Sequence, residues 1–164
     1  EETYHLDRLL QQDLVALNIS NQVVNASVSG DTSNGGLNRL AWSLQDSYDL
    51  FILGLGANDM LRGLSPETTK ANLELIIQLV QEKEIPILLT GMVAPSAYGK
   101  EYQNQFNSLY PDLAEQYKIA FYPFLLEGVA LKPELNQSDG KHHNQEGIQL
   151  NSQKLSEKIK KIIN

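Results

Sequence analysis

Asp49-Leu-Phe-Ile-Leu-Gly-Leu55, running directly into Gly56-Ala57-Asn58-Asp59, is the stretch on which the fold turns. A short apolar run without helical spacing, closed by glycine and an Asn-Asp pair, reads as a strand buried on both faces. Upstream, Leu37, Leu40, Ala41 and Leu44 recur at helical spacing. Downstream, Ser65-Pro66 is a capping residue followed by a first-turn proline, and Leu73, Ile76, Ile77 and Val80 form the inner face of the helix it opens. Ile85-Pro-Ile-Leu-Leu-Thr90 is then the next strand.

The alternation continues to both ends. Leu6, Leu9, Leu10, Leu14 and Leu17 predict a helix over 3–18, and Gln22-Val-Val-Asn-Ala-Ser-Val28 predicts a strand. After 90, the stretch from Val93 to Tyr102 contains Pro95 and Gly99 and reads as a long loop. A helix carrying Phe106, Leu109, Leu113 and Tyr117 follows, with Pro111 expected to bend or divide it. Ile119-Ala-Phe-Tyr122 is a fourth strand, and Ile148, Leu155, Ile159 and Ile162 mark the inward stripe of a last helix. Alternating strands and helices predict an α/β fold, a three-layer α/β/α sandwich around a parallel, flavodoxin-like sheet. Ligands bind such sheets at the carboxyl ends of the strands.

Composition bounds the function. The chain has 164 residues, 41% of them hydrophobic, and reads as a single domain over 1–164. A formal charge of -7, with no basic stripe outside the Lys154 to Lys161 end, argues against a nucleic-acid surface. Those lysines complement the negative end of the last helix. No apolar run reaches the length of about 18 residues that a membrane span needs, so stable membrane insertion is not expected. The absence of cysteine removes disulfides, thiolate metal sites and a cysteine nucleophile.

Three motifs fall at the same edge of this sheet. Asn25-Ala-Ser-Val-Ser-Gly-Asp-Thr32 leaves the first strand, and Gly30 lacks a side chain, so its N–H can approach a ligand oxygen closely. The same segment, taken alone, reads first as a strand-to-helix turn capped by Asp31 or Thr32. Asn58 offers an amide donor that is neutral at any pH, suited to a developing negative charge, while Asn58-Asp59 is also an ordinary turn pair. In Asp139-Gly-Lys-His142-His-Asn144, an aspartate three residues before a histidine can fix the ring tautomer and leave Nε2 free to take a proton. A solvated loop with Asn144 capping the next helix is the alternative. His5 reads as a surface or half-buried residue. A metal set from Asp31, Asp59, His142 and His143 is disfavoured because no chelating His spacing supports it, and no metal or cofactor is expected.

Val-Ser-Gly30-Asp-Thr, Gly-Ala-Asn58-Asp and Asp139-Gly-Lys-His142-His-Asn resemble, in order and spacing, three of the four sequence blocks of the SGNH (GDSL) hydrolase superfamily. The resemblance spans essentially the whole chain. It is closest to the bacterial multifunctional thioesterase, arylesterase and lysophospholipase branch, which shares the Val-Val-Asn-Ala-Ser run at 23–27, Leu-Arg-Gly at 61–63 and Tyr-Pro-Phe near 122–124. It implies Gly30 N–H and the Asn58 amide as oxyanion donors, His142 as general base and Asp139 as its orienter. By the same analogy Met60, Leu61, Leu64 and the loop from Val93 through Tyr98 to Tyr102 form an apolar wall for the acyl group. The implied substrate is a small-molecule acyl ester or thioester, the implied compartment periplasmic or secreted, and the expected state a monomer or weak homodimer.

The chain departs from the family pattern in two places. His143 stands where the family has proline, a change expected to be neutral. The block that carries the nucleophile, a buried strand followed by Gly-Asp-Ser-Leu, is expected shortly before Glu1, at the centre of the sheet between 22–28 and 49–55. The domain is therefore expected to be N-terminally incomplete as given, with no turnover of its own. Ser29, Ser33 and Ser96 lack the sharp-turn setting of an activated serine. The expected function is ester or thioester hydrolysis through an acyl-enzyme. A carbohydrate acetyl-esterase of the same superfamily and a non-catalytic binding module are the alternatives.

Overall fold

The structure, a computed structural model, describes residues 6–123, 134 and 144–163. The chain divides into two compact units, 26–124 and a second made of 1–25 with 125–164. The larger unit holds the sheet. Its helices α2 (Ser33–Asn38) and α3 (Leu40–Ser43) lead to β1 (Phe51–Leu53), and α4 (Ala57–Leu61) and α5 (Pro66–Gln81) connect β1 to β2 (Ile87–Thr90). A 3-10 turn (Ser96–Tyr98) and α6 (Lys100–Tyr117) lead on to β3 (Ala120–Tyr122).

The three strands are parallel in the order β1-β2-β3, with Phe51 opposite Ile87 and Leu88 opposite Ala120. Central β2 is buried along its whole length, as its Ile-Leu-Leu-Thr sequence requires. Leu73, Ile76, Ile77 and Val80 of α5 and Phe106, Leu109, Tyr110 and Leu113 of α6 complete one apolar core with it. Helix α5 begins as its sequence predicts, with Pro66 in the first turn and Ser65 Oγ accepting from Thr68 N at 3.2 Å.

Four expectations are corrected. The run at 22–28 forms no strand; Val24 and Val28 are 57% and 55% exposed, and a β-rich sequence without a neighbouring ladder has nowhere to place its backbone groups. Strand β1 is shorter than 49–55 and not fully buried, because β2 is its only neighbour among the described residues and Ile52 stays 37% exposed. Pro111 does not divide α6 into two elements; it sits on the solvent side while Tyr110, Leu113 and Ala114 anchor the helix on both sides of it. The helical face from Leu37 to Leu44 splits at Arg39 into α2 and α3, leaving Ala41 exposed.

In the smaller unit, α1 (Leu6–Ala16) packs on α7 (Gln145–Ile163). Leu10 and Leu14 are buried on α1, and Leu155 and Ile159 on α7, so the stripes read from sequence are the packed faces. The Asp13 carboxylate accepts from Ser152 Oγ at 2.5 Å. Asn144 caps α7, its Oδ1 accepting from Gly147 N at 3.0 Å.

Candidate active site

Beyond β1 the backbone must turn sharply to enter α4. Gly56 takes the turn at φ 111°, where a Cβ would lie 2.1 Å from the Tyr110 hydroxyl, so only glycine fits. Tyr110 in turn donates to Leu55 O at 3.0 Å, fixing the end of the strand. Burial, with the Asp59 charge adding to it, raises the Tyr110 phenol far above its ordinary value and keeps this donor protonated. Asn58 therefore rises from the second residue of a short helix with a rigid base, not from the turn its sequence suggests.

The Gly30 segment faces it. Asp31 N donates to Val28 O at 3.2 Å across a turn in which Gly30 is left-handed, at φ 76°, and exposed. Side chains then hold the carbonyls of this segment from several directions. Asn58 Nδ2 donates to Asp31 O at 2.9 Å and Arg62 Nη2 to Gly30 O at 2.8 Å. Arg39 Nη1 donates to Ala26 O, and its Nε pairs with Asp31 Oδ2 at 2.6 Å. Thr32, not Asp31, caps α2, accepting from Gly35 N at 3.2 Å. Among the described residues the Gly30 N–H has no acceptor.

Asn58 and Gly30 are thus brought together through one shared neighbour, Asp31. Nδ2 carries two hydrogens; the Asp31 carbonyl takes one and so orients the amide, leaving the second to point elsewhere. Both groups are neutral donors at any pH, which is what an anion-stabilising pocket needs. Asp139 and His142, with His143, lie outside the described residues.

The residues expected to form an acyl wall differ in exposure. Leu61 is 64% exposed, and Leu64, Val93 and Tyr98 also present apolar surface to solvent, whereas Met60 packs against the core. Tyr102 links two of these: its hydroxyl donates to Leu64 O at 2.9 Å and its ring stacks on Tyr98, with centroids 5.5 Å apart. Burial and the neighbouring Tyr98 and Asp59 raise its phenol, so the tie holds through neutral pH.

The other candidates are accounted for. Ser33 is fully buried at the start of α2 and gives its hydroxyl to Asp59 at 2.5 Å, Ser29 is an exposed turn residue, and Ser96 opens the 3-10 turn. The carboxylates of Asp31 and Asp59 accept from the Arg39 guanidinium and from Ser33 respectively. Sequence reasoning missed Arg39 and Arg62, whose targets are backbone carbonyls up to 32 residues away and leave no local pattern. Leu-Arg-Gly at 61–63 was the one available signal for Arg62.

A parallel sheet flanked by helices, with the Gly30 turn tied to Asn58 through Asp31 O beyond the first described strand, defines the class, an α/β fold of the SGNH type. The chain belongs to the GDSL-like lipase/acylhydrolase family, whose sequence profile matches residues 3–150. It is similar to an arylesterase of Vibrio mimicus, 41% identical over 73% of this chain and 60% of that protein. It is also similar to thioesterase 1/protease 1/lysophospholipase L1 of Escherichia coli strain K12, 37% identical over 87% of this chain and 69% of that protein. The chain thus spans between 60% and 69% of the length of these two relatives. Among solved structures it resembles the psychrotrophic esterase EstA of Pseudoalteromonas sp., determined in a form inhibited by monoethylphosphonate. The TM-score is 0.90 at 31% identity, over 96% of this chain and 86% of that one. No described helix is long and apolar enough to cross a membrane.

Proposed function

We propose that residues 1–164 are the part of a serine ester or thioester hydrolase that binds the oxyanion and carries the base. The observation that carries this reading is the bond from Asn58 Nδ2 to Asp31 O, which ties the amide donor to the Gly30 turn and leaves one amide hydrogen unspent. The nucleophile in this reading is the serine of the family's Gly-Asp-Ser-Leu block. Its Oγ attacks the acyl carbonyl while His142, oriented by Asp139, takes the proton. Charge developing on the carbonyl oxygen is met by Gly30 N–H, the Asn58 amide and the serine's own N–H, each side-chain or backbone donor contributing about 3 kcal/mol. The alcohol or thiol departs with the proton from His142, and water activated by the same histidine releases the acid.

Leu61, Leu64, Val93 and Tyr98, with Met60 beneath, serve as the wall for the acyl or aryl group in this reading. Their exposure favours an apolar substrate over an acetylated sugar. The test is labelling of the full-length protein by a fluorophosphonate, followed by hydrolysis of a panel of acyl esters and thioesters of graded chain length. Labelling that is lost in His142→Ala, with activity on medium or long acyl chains, is the expected result. Absence of labelling overturns catalysis, and activity confined to acetylated sugars overturns the substrate class.

A further inference from the structure

We propose that Asp59 is a positioning residue for the oxyanion site, its buried carboxylate holding the Gly30 turn in register with the Asn58 amide. The proposal rests on the acyl-transfer reading above. Asp59 is the next residue after Asn58 on α4, and neither it nor Ser33 has any solvent exposure. Its two oxygens reach the same residue: Oδ2 accepts from Ser33 N at 2.8 Å and Oδ1 from Ser33 Oγ at 2.5 Å. Asn72 Nδ2 donates to Ser33 Oγ at 2.9 Å, which directs the serine hydrogen toward the carboxylate. Thr69 Oγ1 lies 3.3 Å from Oδ1 but equally far from Ser65 O, so its single hydrogen supplies the weakest link.

The geometry gives this cluster its consequence. Two consecutive residues of α4 grip two points of one short segment, Asn58 at Asp31 O and Asp59 at Ser33, while Arg62 on the same side takes Gly30 O. The Arg62 contact is exposed, whereas the Asp59 contact excludes water and leaves Ser33 no alternative partner for its N–H. A shift of α2 relative to α4 therefore moves Gly30 N–H and Asn58 Nδ2 apart. An error of about 1 Å in such an arrangement lowers rates by about a hundredfold. Asp59 itself touches neither solvent nor substrate, so its influence passes through Ser33 and Asn58.

The experiment is a double-mutant cycle in the full-length protein, with kcat and KM measured for Asp59→Ala and Ser33→Ala alone and combined with Asn58→Ala. We expect Asp59→Ala to lower kcat by about thirtyfold with KM within about twofold, and Ser33→Ala, which keeps the backbone half of the clamp, by about fivefold. In the Asn58→Ala background each loss shrinks several-fold, because the donor being positioned is gone. Equal losses in both backgrounds, or full kcat in Asp59→Ala, overturn the role of Asp59. If Asp59→Ala does not fold, Ser33→Ala reads the same cycle on a smaller scale. An Asn58→Ala variant with undiminished kcat overturns the oxyanion reading itself, a result distinct from additive losses.

Discussion

Asp59 and Glu74 each take a hydroxyl hydrogen at close range, from Ser33 at 2.5 Å and from Tyr117 at 2.6 Å, yet they do different work. Asp59 is fully buried where the loop after the Gly30 turn meets α4 and α5. Glu74 is half-buried on the outer seam between α5 and α6, where Gln116 also donates to it at 2.8 Å and Gln78 donates to the Tyr117 hydroxyl at 2.7 Å. At the seam, water replaces any bond that is lost. In the interior nothing does, so the buried carboxylate dictates where its partners stand and the surface one merely accompanies packing that Leu73, Ile76 and Phe106 already enforce.

The largest difference should appear in stability. Asp59→Ala orphans the Ser33 N–H in the core and is expected to cost about 3 kcal/mol, read as a lower urea midpoint at unchanged slope. Tyr117→Phe, which removes a comparably short bond at the seam, is expected to cost less than about 1 kcal/mol in the same assay. Equal losses would show that bond length, not burial, decides the cost.

The smallest effect is a pH dependence confined to the seam. The hydrogen bond from Tyr117, then that from Gln116, holds the Glu74 carboxyl below its usual 4.5, and the bond to Glu74 holds the Tyr117 phenol above its usual 10.0. A lowered carboxyl stabilises the fold above pH 4.5 and loses that contribution as pH falls through its folded value. A raised phenol stabilises it below pH 10 and loses that contribution as pH climbs through its own. The gap in stability between the parent protein and Tyr117→Phe should accordingly be flat between those limits and narrow beyond each. A gap that stays constant from pH 3 to pH 11 would remove the Glu74 bond as its source.

The same contrast explains how much was legible in sequence. The core strands at 51–53, 87–90 and 120–122 and the Ser65-Pro66 helix start are local signals, so apolar runs and a cap reveal them. Gly30 and Asn58 stood out because a glycine before a capped helix and an amide at a strand end are short patterns. Helix α4 was hidden, since five residues are too few for a 3.6-residue period to show against an Asn-Asp turn. The strand read at 22–28 failed for the opposite reason: its valines favour a ladder, and propensity cannot say whether a partner lies alongside. The grips of Arg39, Arg62 and Asp59 bring together residues 8 to 32 apart, and only the folded chain reveals them. His142 and Asp139 rest on the motif and on the family to which the chain belongs.

The most direct measurement is a crystal structure of the full-length protein after reaction with a phosphonate. The phosphoryl oxygen is expected about 2.7–3.1 Å from both Gly30 N and Asn58 Nδ2, with the Asn58 amide still bound to Asp31 O. A phosphoryl oxygen held by neither donor would contradict the account.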